Sequence, residues 1–273
     1  MKAPLELVLS TLHRAAEPLL YAAAALHADD GAVGLQVRAE LPHLPADDPE
    51  GLAVVRSALE EQGLVVRSLH APSGPDMDLS AGDAQDQRLT YQAHVVSMKA
   101  AVALGCDLVV VHPGHRWNEE RERHVRLMRT MAALQDLTTA AEQLQVRLAL
   151  ENLPTGMVGS RPLDMANLVD FAGSPQVGAC LDAGHALLTD TPLEEWVAAL
   201  AGRIWVVEWH DNGGTADDHL PPSPGRDWRP LFAALRDAGC TADVVLEIAA
   251  ADWPPVRQAL EDSAALLQRS RAG

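Results

Sequence analysis

Lysine is almost missing from this sequence: 273 residues hold only Lys2 and Lys99, against nineteen arginines. Neither lysine falls at the end of an expected strand, which argues against Schiff-base chemistry. Cysteine is equally sparse. Cys106, Cys180 and Cys240 are odd in number, widely spaced and without a CxxC pair, so they read as reduced core residues of a cytoplasmic protein rather than a disulfide framework. No apolar run approaches the roughly 18 residues needed to cross a bilayer. The N-terminal stretch, with a single Lys2 and a broken apolar segment, makes a poor signal peptide. Linkers, low-complexity segments and close repeats are also lacking, so a single domain over residues 1–273 is expected. Positive charge is in deficit: the formal net charge is −17, which disfavours nucleic acid and anionic membranes as partners.

What is present is an alternation of strand and helix patterns. Strand-like runs rich in Val, Leu and Ile cover Leu5–Ser10, Val33–Val37, Leu64–His70, Leu108–His112, Val146–Glu151, Val177–Asp182, Ile204–His210 and Val244–Ile248. They do not alternate strictly, as expected of strands covered on both faces. Helical patterns lie between and after them, at Leu12–His27, Pro49–Gln62, Asp86–Leu104, Asn118–Gln143, Arg161–Ala172, Pro192–Leu200, Pro230–Ala238 and Pro254–Arg269. Gly63, Gly105 and Gly239 stand where a helix should stop before the next strand. Eight roughly equal βα units predict an α/β fold, the closed (β/α)8 TIM barrel, over a doubly wound sheet.

The polar residues collect at the strand ends. The third strand ends in His70-Ala71-Pro72 and the fourth in His112-Pro113-Gly114. The fifth ends in Glu151-Asn152 and the sixth in Asp182-Ala183-Gly184-His185. His210 closes the seventh, its loop adds Asp217 and His219, and the eighth contributes Glu247. In a barrel these ends converge on one face. Nine imidazoles and carboxylates gathered there would repel and desolvate one another unless cations intervene. A lone strand-end histidine such as His70 is more often a hydrogen-bonded structural residue than a ligand. Glu151, Asp182 and Glu247 follow apolar runs and carry more weight, because an unpaired buried carboxylate is uncommon. The Asp182-x-x-His185 pair also reads as a helix N-cap. His13, His27, His43, His94 and His124 are expected at the surface. Trp196, Trp205, Trp209, Trp228 and Trp253 are expected to pack the core or the helix–barrel interface. Trp117 is a candidate wall for a sugar-sized pocket, and Arg116 and Arg226 are candidates to hold an anionic group.

The motifs HAP at 70–72, HPG at 112–114, LENLP at 150–154, GACLDAGH at 178–185, HDNGGTADDHLPPSPGRDW at 210–228 and LEI at 246–248 resemble the xylose-isomerase-like TIM-barrel superfamily. That superfamily includes sugar (phosphate) isomerases and epimerases, inosose dehydratases and endonuclease-IV-like nucleases. For an isomerase the resemblance implies one divalent ion (Mn, Zn, Co, Mg or Fe) on Glu151, Asp182, His210 and Glu247. Glu151 and Glu247 would be the acid/base pair, and His185 and His70 would contact substrate. For a multi-metal phosphodiesterase of the nuclease type it implies up to three ions, with His70, His112, His185, Asp217 and His219 as further ligands. The NLPTG turn after Glu151 and the short segment between His210 and Asp217 depart from the nuclease pattern. The expectation is therefore a cytoplasmic, metal-dependent isomerase or epimerase acting on a small sugar, polyol or sugar phosphate through an enediolate. A dehydratase would use the same groups, and a barrel that binds ligand within a complex without turnover ranks last. A homo-oligomer is compatible with the sequence, which does not require one.

Overall fold

The computed structural model describes residues 6–249 and 256–272. Eight parallel strands close into a barrel in sequence order. They are β1 (Leu7–Ser10), β2 (Gly34–Arg38), β3 (Val65–His70), β4 (Leu108–Val111), β5 (Arg147–Glu151), β6 (Val177–Asp182), β7 (Ile204–Trp209) and β8 (Asp243–Leu246). Closure is made by β1 against β8, with Val8 opposite Val245. Side chains that point inward can be followed around the ring by register. Ser10 stands opposite Gln36, Gln36 opposite Ser68, Arg38 opposite His70, and Asp182 opposite Glu208. The outer helices are α1 (Leu19–Ala28), α2 (Pro49–Glu61), α3 (Ala84–Ala103), α4 (Glu120–Leu144), α5 (Pro162–Ala172), α6 (Ala183–Leu187), α7 (Leu193–Ala199), α8 (Arg229–Asp237) and α9 (Val256–Ala272).

Local chemistry explains the boundaries. Asp48 caps α2 through the Glu50 amide and is followed by Pro49, whose fixed φ suits a first helical turn. Asp83 caps α3 through the amides of Gln85 and Asp86. Gly63, Gly105 and Gly239 have φ of +71°, +79° and +65°, the left-handed conformation that ends a helix. The expected helix Leu12–His27 is divided into a 3-10 turn at Thr11–Arg14 and α1, because Pro18 cannot donate to a continuing helix. The short helix α6 was not expected, since its start is hidden in the Asp182-Ala183-Gly184-His185 motif. The expected start of the first strand at Leu5 and of the last helix at Pro254, together with Trp253, lie outside the described residues.

Trp196, Trp209 and Trp228 are fully buried, and the rings of Trp209 and Trp228 meet edge to face at 5.6 Å. Trp205 is half-buried beneath the Arg147 guanidinium. Three histidines expected at the surface are instead inside; the His13 side chain is 4% exposed and lies against Asp30 at 3.0 Å. His43 Nδ1 donates to the Glu17 carbonyl and His94 Nδ1 to the Thr90 carbonyl, and both rings are essentially without exposure. Burial pulls the His94 imidazole down to about 4, so it packs as a neutral ring. No helix among the described residues is long and apolar enough to cross a membrane.

Candidate metal and active site

The C-terminal ends of the strands bring all nine expected residues into one cluster. Glu151, at the tip of β5, is its hub. Its Oε2 lies 3.0 Å from His70 Nε2 and 2.9 Å from His112 Nε2, and its Oε1 lies 3.0 Å from His185 Nδ1. Asp182 ends β6 and has two tasks. Its carboxylate accepts the His185 amide at 2.6 Å, which caps α6, and it stands 3.1 Å from His210 Nε2. The N-cap reading of Asp182 holds, and the same carboxylate lies within the cluster. Asn152 locks this carboxylate in place, bonding the Asp182 amide at 2.8 Å and its carbonyl at 2.9 Å.

Beyond β7 the chain turns out and returns. The amide of Asp211 donates to Leu220 O at 2.7 Å and the amide of Leu220 donates to Asp211 O at 2.9 Å. This small antiparallel bridge carries Asp217 and His219 back over the barrel. His219 Nε2 lies 3.1 Å from Asp217 Oδ2, which is also 2.9 Å from His185 Nε2. The His219 and His210 rings stack at 4.1 Å. Gly184 makes room for His210, because a Cβ there would overlap the imidazole ring. That is the physical reason for a glycine in the Asp182–His185 motif.

Four imidazoles share one arrangement. Nδ1 of His70, His185, His210 and His219 faces the backbone carbonyl of Ala71, Asn152, Asp211 and Glu247 respectively. A carbonyl can only accept, so each Nδ1 carries the proton. Each Nε2 then faces a carboxylate: Glu151, Asp217, Asp182 and Asp217. A neutral imidazole would aim a lone pair at a carboxylate oxygen, which is repulsive. Either a second proton or a cation must lie between. The Nε2-to-oxygen separations of 2.9–3.1 Å match neighbouring donors around a small divalent ion, which at ligand bonds of ~2.1 Å stand about 3.0–3.4 Å apart. Carbonyl-anchored Nδ1 with an outward Nε2 is also how metal-ligating histidines are commonly held. The donor set fits divalent cations. Groups whose ligand atoms lie within 4.8 Å of one another include Asp182/His210/Glu247, Glu151/Asp182/His185, His70/His112/Glu151 and His185/His210/Asp217/His219.

Protons answer the same demand when no cation is bound. Burial disfavours a charged His185, yet Asp182, Asp217 and Glu151 together raise its pKa well above the usual value. Burial also opposes ionisation of Glu151, but His112, His185 and His70 hold it well below the ordinary carboxylate range. His112, at the edge of the cluster, is pulled down by burial despite Glu151 beside it.

Three residues of this interior lay beyond the sequence reading. Glu208, one residue before the end of β7, is fully buried and accepts from Gln36 Nε2 across the barrel at 2.6 Å. Burial, and then the charges of Glu151, Glu247 and Asp182, push its pKa well above the ordinary carboxylate range. Arg38 ends β2 beside His70 and lies 3.5 Å from Glu247. A carboxylate inside the apolar run Ile204–Trp209 and an arginine at a strand end were the available signals. The three other expected contact residues differ. Arg226 is tied to Asp211 at 2.7 Å, and Arg116 is exposed. Trp117 is half-buried with the Arg161 guanidinium 5.5 Å from its ring centre.

The family described as xylose isomerase-like TIM barrel matches residues 23–270. Among curated proteins, the uncharacterized protein MJ1311 of Methanocaldococcus jannaschii is 28% identical over 187 residues, covering 66% of this chain and 63% of that protein. The chain spans less than two-thirds of the length of the curated relatives it matches. A solved D-tagatose 3-epimerase-like protein superposes with a TM-score of 0.83 at 21% identity, covering 97% of each chain. The AP endonuclease, family 2, from Brucella melitensis superposes with a TM-score of 0.74 at 20% identity, covering 97% of this chain and 99% of that one. At these identities the likeness is one of fold.

Proposed function

The chain belongs to the xylose isomerase-like TIM-barrel family, and from that premise we propose that it is a divalent-metal-dependent isomerase or epimerase of a small polyhydroxy carbonyl compound. The observation that carries this reading is the placement of two buried carboxylates, Glu151 on β5 and Glu247 just past β8, which reach Asp182 from different sides of the barrel mouth. The solved D-tagatose 3-epimerase-like protein supports it by fold.

Glu151, Asp182, His210 and Glu247 would hold the ion. When bound, it supplies the Lewis acidity that makes a C–H beside a carbonyl removable and stabilises the charge that develops. The chain does the rest. One of Glu151 and Glu247 takes the proton from carbon on its side of the substrate, and the other returns a proton from its own side. Asn152 and the α6 cap fix Asp182, one of the residues that would hold the ion. His185 lies against Glu151 and would offer a contact to a substrate oxygen, and Trp117 offers a half-buried wall beyond β4. Replacing Glu247 by Gln should lower exchange of solvent deuterium into a substrate sugar by about 10²–10⁴-fold. Undiminished exchange would remove Glu247 from the acid/base role.

A second reading has its own observation. His70/His112/Glu151 and His185/Asp217/His219 form two further candidate cation groups, the ligand supply of a multi-metal phosphodiester hydrolase. Elemental analysis of protein purified without chelator separates the two. About one equivalent of Mn, Co or Mg favours the isomerase. Two or three equivalents of Zn, Mn or Fe, with cleavage of abasic DNA lost on Asp217→Ala, would favour the hydrolase. The net charge of −17 weighs against a nucleic-acid substrate.

A further inference from the structure

The ligand-bearing groups are unevenly spread around the mouth. His112, Glu151, Asp182, His185, His210, Asp217 and His219 all arise from β4 to the loop after β7, and Glu247 follows β8. The arc from β1 to β3 carries little besides His70 and Arg38. A substrate held on the crowded side would have this arc as its open neighbour. There Arg38 is placed with care. Its amide is bonded to Thr11 Oγ1, Nη1 lies 3.5 Å from Glu247, and Nη2 lies 2.8 Å from Glu40 and 3.3 Å from Ser73 Oγ. The residue is only 8% exposed, and its Nε is buried without a partner among the described residues.

An orphaned donor of this kind costs stability unless something occupies it. The contact to Glu247 is long, 3.5 Å, and Glu247 also faces His219 Nδ1 at 3.7 Å, so it leaves Nε of Arg38 unsatisfied. A guanidinium presents a planar fork of donors matched to a carboxylate or a phosphate. We infer that Arg38 is a substrate-contacting, specificity-determining residue that binds an oxyanion, so that the substrate is an acidic polyhydroxy compound, a sugar acid or a sugar phosphate. This assigns to Arg38 the part that Arg226, tied to Asp211, and the exposed Arg116 are badly placed to fill. The substrate class rests on the isomerase reading, whereas binding of the anion does not. Glu40 competes for the same guanidinium from the rim, where its side chain is 34% exposed, and so sets how strongly the site takes anions.

The test is calorimetric titration of D-gluconate, glycolate and inorganic phosphate into metal-free and metal-loaded protein. Wild type should bind at one site per chain. Arg38→Gln should weaken binding by about ten- to a hundredfold and Arg38→Lys by less, because the charge remains while the fork is lost. Glu40→Gln, a change at the rim that the fold tolerates, should tighten it. A preference for gluconate over phosphate assigns a sugar acid, and the reverse assigns a sugar phosphate. Equal binding by wild type and Arg38→Gln, no binding by wild type, or no effect of Glu40→Gln would overturn the inference. If anions bind as expected while no sugar exchanges solvent deuterium, the isomerase reading fails and the Arg38 site stands.

Discussion

The two ends of this barrel carry the same acidic residues under opposite arrangements. At the N-terminal end three carboxylates are each held by an arginine. Arg147 takes Asp107 through both nitrogens at 2.8 and 3.2 Å, Arg67 takes Asp243 at 2.9 and 3.0 Å, and Arg203 takes Asp170. These pairs lie at the surface, where water does most of the work of solvation and each pair adds little. At the C-terminal end Glu151, Asp182 and Glu247 are no more than 2% exposed, and their neighbours are mainly imidazoles. An arginine satisfies a carboxylate outright, whereas an imidazole anchored at Nδ1 leaves the space between Nε2 and oxygen for something else. The difference teaches which charges hold the fold and which are held by it.

The comparison can be broken most severely at Gly184. Gly184→Ala would drive a methyl into His210, so a loss of about 3 kcal/mol in stability is expected, together with loss of metal uptake at Asp182/His210/Glu247. Normal melting and normal metal content would show that the ring has freedom to move away. A smaller effect separates the ends by pH. In metal-free protein His219 titrates at about 9: burial opposes its charge, but Asp217 and Glu247 outweigh that. A raised value means that its contribution is complete below the unfolded value of 6.5 and is lost as pH rises through about 9. Thermal melts of chelator-treated protein should therefore decline between pH 7 and 10, by on the order of 1 kcal/mol or more. Asp217→Asn should flatten that decline, and a flat wild-type profile would contradict the assignment. The smallest effect belongs to the other end. Arg147→Gln should cost no more than about 1 kcal/mol in a urea titration and leave metal content unchanged.

Much of the upper end could be read from the chain, because strand ends are local and a barrel gathers them on one face. Glu151, Asp182, His210 and Glu247 declared themselves as polar residues closing apolar runs. Glu208 did not, since it sits inside such a run, and its partner Gln36 is 172 positions away across the barrel. Arg38 was passed over although it too ends a strand, because an arginine at a strand end is usually solvated. Its burial follows from Glu247 and Glu40 standing on either side. His43 and His94 show the converse error. A polar residue in a loop or a helix is expected to be exposed, but each imidazole finds a local backbone carbonyl that allows it inside.

The Asp211–Leu220 bridge ties both ends of one ten-residue loop with reciprocal hydrogen bonds. Asp217 and His219 ride on that loop as passengers on a single carriage. Both lie on the same tied segment, and His219 is held further by the Glu247 carbonyl and the Ala249 amide. The amides of Asp211 and Leu220 should then exchange with solvent at a common rate, a clock for the opening of the whole mouth. Any ion shared by Asp217 and His219 would slow that clock, and the same two amides would register its departure.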